Sequence, residues 1–215
     1  MNKLFYAKLI ILAAVCVGVF LVIGKTRSTA DVPVDPRLQV LSSDHVQGSR
    51  DASVVIIEYI DLECPTCKGY HPLVKDLVGY YGDNIAYVPR HFPIGNIHPN
   101  AMSAAIALES AGLQDRYFEM MDLLFEEQDA WKDIESADIQ DFVPYAAQLG
   151  LDVKMFIEGV QSQNLRKKVE DQYLEGIAMR VRSTPTFFVN GKRLSNPRSS
   201  NDFYALIDPV LEQEN

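Results

Sequence analysis

No second pair of cysteines exists in this chain of 215 residues, and of its three cysteines only Cys64 and Cys67 lie near one another. A closed structural zinc site needs four ligands, and Cys64, Cys67 and His71 supply three at most. The remaining histidines, His45, His91 and His98, each lie in a segment of their own. The sequence therefore offers no metal framework. Bases are scarce as well. The net charge is -9, and Lys3, Lys8, Lys25 and Arg27 take four of the 20 bases, leaving 16 against 29 acids, or -13. Such a body has no electrostatic reason to bind nucleic acid or an anionic lipid surface. Internal repeats and low-complexity tracts are absent, and 47% hydrophobic with 23% charged residues is a globular composition.

Acids are missing altogether from residues 1 to 30, and there the one long apolar run is found, LIILAAVCVGVFLVIG from Leu9 to Gly24. As a helix its sixteen residues span about 24 Å, slightly short for a bilayer. Lys8 and Lys25 can snorkel and LFYA adds apolar length, so residues 1–25 read as an N-terminal membrane anchor with its N-terminus in the cytoplasm. The rival is a cleaved signal segment, since Ser28-Thr-Ala30 fits a small-x-small cleavage pattern. Lys25 and Arg27 within that region favour the anchor. Either way the rest of the chain is exported to a compartment where disulfides persist. Residues 26–44 are polar, with Pro33 and Pro36, and read as a linker before a domain that starts near His45.

Within the domain, Ser53 to Ile60 is a β-branched and aromatic run of strand length, suited to burial on both faces of a sheet. It leads into Cys64-Pro-Thr-Cys67, where Pro65 suits the first helical position and Leu73, Val74, Leu77 and Val78 continue a helix that Pro72 should kink. Asn84 to His91 reads as a second strand, parallel to the first through a right-handed crossover. From residue 98 to 181 the pattern is helical, opened by Pro99 with His98 at the capping position. Asn190-Gly191 between apolar runs marks a hairpin, and a last helix covers about Ser200 to Leu211. The α/β part is thus 45–97 and 182–215, with 98–181 as a helical insertion. The fold class is an α/β sandwich interrupted by a helical subdomain.

The cysteine pair has three readings: part of a metal site, a structural staple, or a redox pair. Ligand count disfavours the first. A bridge closing so small a loop removes little entropy from the unfolded chain, which disfavours the second. The third accounts for spacing and location together. At a helix start the unpaired N–H groups and positive dipole end favour a thiolate on Cys64, while Cys67, one turn in, can resolve a mixed disulfide. Glu58 interrupts an apolar strand, so it is paired, exposed at an edge, or protonated with a raised pKa; beneath the pair it could relay the proton of Cys67. Glu63 directly precedes Cys64 and, if close, opposes its thiolate by like charge.

EYIDLECPTC, His71-Pro72, RHFPIGNIHPNA from Arg90 to Ala101 and STPTFFVNG from Ser183 to Gly191 together resemble the DsbA family of exported thiol-disulfide oxidoreductases, over about residues 45 to 212. The resemblance implies a thioredoxin fold with an inserted helical subdomain, Cys64 as nucleophile, Cys67 as resolver, and Glu58 at the position of a buried acid. It further implies a cis Thr184-Pro185 bond whose Thr184 backbone pairs with an extended substrate chain. His71 and His98 fall on family positions, with packing and capping as their roles. Phe92, Trp131 and Phe187 read as core. The best-known oxidases of the family carry histidine between the cysteines; Thr66 here, with Glu63 beside Cys64 and Pro65 at the helix start, predicts a less oxidising pair. The function implied is a monomeric, single-pass, extracytoplasmic enzyme that introduces disulfides into cysteine-containing exported proteins. Its reoxidising partner would be a membrane quinone-linked thiol oxidase of the DsbB or vitamin K epoxide reductase type. No bound cofactor is needed, because the chemistry is the disulfide itself. A reductase or isomerase of the same fold, and a peptide-binding chaperone with incidental thiols, are the alternatives.

Overall fold

The β-branched run forms the central strand of a five-stranded sheet. The computed structural model describes residues 34–135 and 138–214. The anchor expected over 1–25, and most of the linker after it, lie outside the described residues. Among the described residues no helix is long and apolar enough to cross a membrane.

Strand β2 (Val54–Ile60) pairs in parallel with β3 (Ile85–His91), from Val54 opposite Ile85 to Ile60 opposite His91. Helix α1 (Pro65–Tyr81) makes the crossover between them and runs through Pro72. On the other side β4 (Thr186–Val189) runs antiparallel to β2 and turns at Asn190 and Gly191 into β5 (Lys192–Arg193). Both turn residues have positive φ, 44° and 77°, as a two-residue hairpin of this twist requires. The edge strand β1 (Gln47–Gly48), which sequence pattern does not reveal, pairs antiparallel with β3. Gly48 has φ 84°, and a Cβ there would sit 2.1 Å from the Ile85 carbonyl oxygen. No other residue fits that approach.

The insertion consists of α2 (Ala101–Gly112), α3 (Tyr117–Glu126), the short α4 (Gln128–Trp131), α5 (Ile139–Gln148), α6 (Val153–Val160) and α7 (Gln163–Ala178). The closing helix α8 (Ser200–Glu214) packs beside α1. One sheet face, through Ile56, Ile60, Tyr87 and Phe187, shares a core with α1, α8 and much of the insertion. The opposite face buries Ile57, Tyr59, Val88 and Phe188 against Leu38, Phe92 and Val181. Phe92, Trp131 and Phe187 are all core residues, as expected.

Two boundaries differ from the sequence reading. The linker expected to extend to residue 44 is packed chain from Asp35 onward. Leu38 and Asp44 are buried, and the fully buried Arg90 donates to the carbonyls of Arg37 and Gln39 and pairs with Asp44 at 2.7 Å and with Glu175. A buried guanidinium must have its donors satisfied, and this polar stretch supplies them. The second difference is at the insertion. Helix α2 starts at Ala101 instead of Pro99, because the His98 ring is taken by Asp61 (Nδ1 to Oδ2, 2.8 Å) and does not cap a helix.

Candidate functional site

Cys64 occupies the N-cap of α1, with φ -70° and ψ 121°, and Pro65 follows in the first turn. The site therefore lies where β2 ends and α1 begins. Donation from the Cys67 thiol and from the backbone N–H groups of Cys67 and Thr66 favours the charged form of Cys64. These donors lower the Cys64 pKa to about 5, the Cys67 thiol being the largest contributor, against burial that raises it. Cys67 is 1% exposed. Burial pushes its thiol well above the ordinary value, and the negative charge of Cys64 and Glu58 adds to the effect. Two thiols of one motif are thus driven in opposite directions. One is a thiolate at neutral pH and the other holds its proton.

The loop before β4 closes the site from across the sheet. The Cys64 sulfur lies 3.5 Å from the Thr184 carbonyl oxygen, and the Thr184–Pro185 peptide is cis. The Thr184 hydroxyl is buried beside the same sulfur and makes no hydrogen bond of ordinary geometry. Thr66 faces outward, lining a shallow depression with Gly69, Tyr70, Leu73 and Arg198.

Below the pair, Glu58 is 3% exposed, with Pro89 opposite it on β3 and Phe187 on β4. Neither neighbour offers a charge. Burial raises its pKa to about 8, moderated by the Tyr87 hydroxyl, which donates to Oε2 at 2.6 Å. Glu58 is neither paired with a cation nor exposed at an edge, so of the three states open to it from sequence the protonated one is present near neutral pH.

Glu63 behaves differently from the sequence expectation. Its carboxylate accepts from the Asn100 N–H at 2.7 Å, joining the cysteine loop to the start of α2. Burial raises its pKa. His71 packs against Phe125 and meets Asp122 at 2.7 Å. Two residues that sequence reasoning missed hold the same loop. Asp61, 1% exposed, accepts from the N–H groups of Glu63 and Ile94 and from His98. Gln128 donates to the carbonyls of Leu62 at 2.7 Å and Cys64 at 3.1 Å. An aspartate directly after a buried strand is a signal that could have found the first; nothing local marks Gln128.

The thioredoxin family profile matches residues 41–209. A Na(+)/H(+) antiporter NhaA 1 of Mycobacterium sp. (strain KMS) is 39% identical over 167 residues, covering 77% of this chain and 25% of the antiporter. The chain thus spans about a quarter of the length of the curated relatives it matches. Among solved structures, alpha-DsbA1 of Wolbachia pipientis superposes with a TM-score of 0.73 at 22% identity, covering 82% of this chain and 94% of that one. Oxidised BdbD of Bacillus subtilis gives 0.68 at 20% identity, covering 81% and 96%. With the profile spanning most of its length and a free thiol pair at the head of α1, the chain belongs to the thioredoxin family and shares the fold of the DsbA structures.

Proposed function

We propose that this enzyme works as an extracytoplasmic oxidase, accepting electrons from cysteines of newly exported proteins. The observation that carries this reading is the asymmetry of the pair, a Cys64 pKa near 5 beside a Cys67 thiol held far higher. A stabilised thiolate on Cys64 is a good leaving group and makes the disulfide form the stronger oxidant. A substrate thiolate attacks Cys64 of the oxidised pair, Cys67 leaves, and a second substrate thiol then displaces Cys64. The substrate gains a disulfide and the enzyme keeps two electrons as a dithiol. Thr184 and Pro185 would receive the substrate backbone opposite Cys64, Pro65 and Thr66 would shape the thiolate's surroundings, and Glu58 would exchange the proton of Cys67.

An N-terminal anchor over residues 1–25 would hold the domain at the extracytoplasmic face of the membrane as a monomer. A quinone-linked thiol oxidase of the DsbB or vitamin K epoxide reductase type would reoxidise it. Ion exchange, named in the curated relatives, is not carried over, since the match covers a quarter of their length. Thr66 between the cysteines keeps a second reading open, a reductase or isomerase of the same fold, because it adds no positive charge to favour the thiolate.

The equilibrium potential of Cys64 and Cys67 in a glutathione buffer tests the direction. An oxidase should equilibrate well above the thioredoxin value of about -270 mV; a potential at or below it would reverse the assignment to a reductase.

A further inference from the structure

We propose that Tyr87 is a positioning residue for proton exchange at Cys67, holding one oxygen of Glu58 as an acceptor so that the exchanged proton resides on the other. The inference rests on the relay role given to Glu58 above. Tyr87 is 1% exposed on β3, and its hydroxyl donates to Glu58 Oε2 at 2.6 Å. A tyrosine hydroxyl has a single hydrogen to give, and a carboxyl carries its own proton on one oxygen. With Oε2 accepting from Tyr87, the carboxyl is fixed in rotation and its protonatable oxygen is Oε1. The groups that bear on Glu58 are few. Cys67 and Tyr70 come from α1, Tyr87 from β3 and Tyr117 from α3, and β4 contributes only Phe187. None carries a positive charge. Tyr87 is therefore the group that moderates the effect of burial on Glu58, and burial keeps the tyrosine itself protonated far into the alkaline range.

The proton balance is closed within the pair. When a thiolate attacks Cys64 of the disulfide, a new sulfur–sulfur bond forms, the Cys64–Cys67 bond breaks, and Cys67 leaves as a thiolate that takes its proton from the Glu58 carboxyl. When Cys67 attacks, the Glu58 carboxylate removes that proton. The first step needs Glu58 protonated, so its rate falls as pH rises through the Glu58 pKa.

The test is the stopped-flow rate of reduction of the full chain's disulfide by glutathione, corrected for the glutathione thiolate, from about pH 6 to about pH 10. The unaltered protein should show a falling limb near pH 8. Tyr87→Phe should move that limb to higher pH by about one unit, the effect of losing a hydrogen bond to a buried charge. Placing 3-fluorotyrosine at position 87 keeps the shape, strengthens the donor and should move the limb to lower pH. In a Glu58→Gln background neither change should matter. If Glu58→Gln keeps the falling limb, the relay reading of Glu58 fails and this inference with it. Should Glu58→Gln abolish the limb while the two Tyr87 substitutions leave it in place, the Tyr87 inference alone is overturned.

Discussion

Two carboxylates buried to nearly the same depth share this fold and meet opposite fates. Glu58 is 3% exposed and Glu109 2%. Glu58 faces Tyr87 and Cys67, and burial lifts its pKa to about 8. Glu109, on α2, is met by His91 and His45 at 3.0 Å each and by Lys168 at 2.7 Å. Burial alone would raise it too, but hydrogen bonds from His45 and His91 and the charge of Lys168 outweigh burial and hold it well below the usual carboxylate range. Depth is therefore a poor guide to protonation. What decides is whether the surroundings bring a cation or a second donor. The paired acid ties three elements together, β3, α2 and α7, while the one without a cation is the acid given the proton-exchange role in the proposed cycle.

The contrast predicts opposite pH dependence of stability. Glu58 has a folded pKa of about 8 against an ordinary 4.5, so its neutral form suits the fold. Its contribution is fully present below about pH 4.5 and is lost as pH rises to about 8, a change of up to about 5 kcal/mol. Glu58→Gln removes this slope, and urea titrations across that range should show the variant gaining on the unaltered protein as pH rises. Glu109 runs the other way: its folded pKa is depressed, so it stabilises above about pH 4.5 and loses that contribution as pH falls further. Removing it by Glu109→Ala leaves His91 and Lys168 without their acid and should cost about 3–5 kcal/mol in urea unfolding at neutral pH, with turnover per folded molecule unchanged. If Glu109→Ala instead slowed turnover while the fold stayed intact, the division between a structural and a working carboxylate would break.

A smaller effect sharpens the same division from the side of the chemistry. Glu58→Gln should slow disulfide exchange about 10²-fold at neutral pH, or about 2.7 kcal/mol in barrier, read as the rate of oxidation of a dithiol peptide. The smallest effect expected is at Gln128, whose two bonds fasten the cysteine loop to the insertion. Gln128→Leu should lose about 1–2 kcal/mol of stability by thermal unfolding and soften the loop without changing which cysteine reacts first.

Much of this was legible in the sequence because it is written locally. The β2 run, Pro65 opening a helix between two cysteines, and Asn190-Gly191 each carry their signal within a few residues, and all three appear where expected. Glu58 stood out for the same reason, as a charge inside an apolar strand. Glu109 did not, since an acid in an alanine-rich helix reads as a solvated residue until His45, His91 and Lys168 arrive from other segments. Gln128 and Asn100 were invisible on similar grounds, their partners being backbone carbonyls. Strand β1 has two residues and therefore no period to read. Glu63 shows the limit from the other side: adjacency to Cys64 in sequence suggested an electrostatic role, and the turn of the chain sent its carboxylate to Asn100.

The Arg90 clamp has a mechanical consequence. Its guanidinium holds the carbonyls of Arg37 and Gln39 and the carboxylate of Asp44 from the end of β3. A pull on the chain ahead of Asp35 would load these bonds together before the ladder between β3 and β2. Strain of that kind would be stopped at Arg90, and the geometry between Cys64, Cys67 and Glu58 would be shielded from whatever tugs on the N-terminal side.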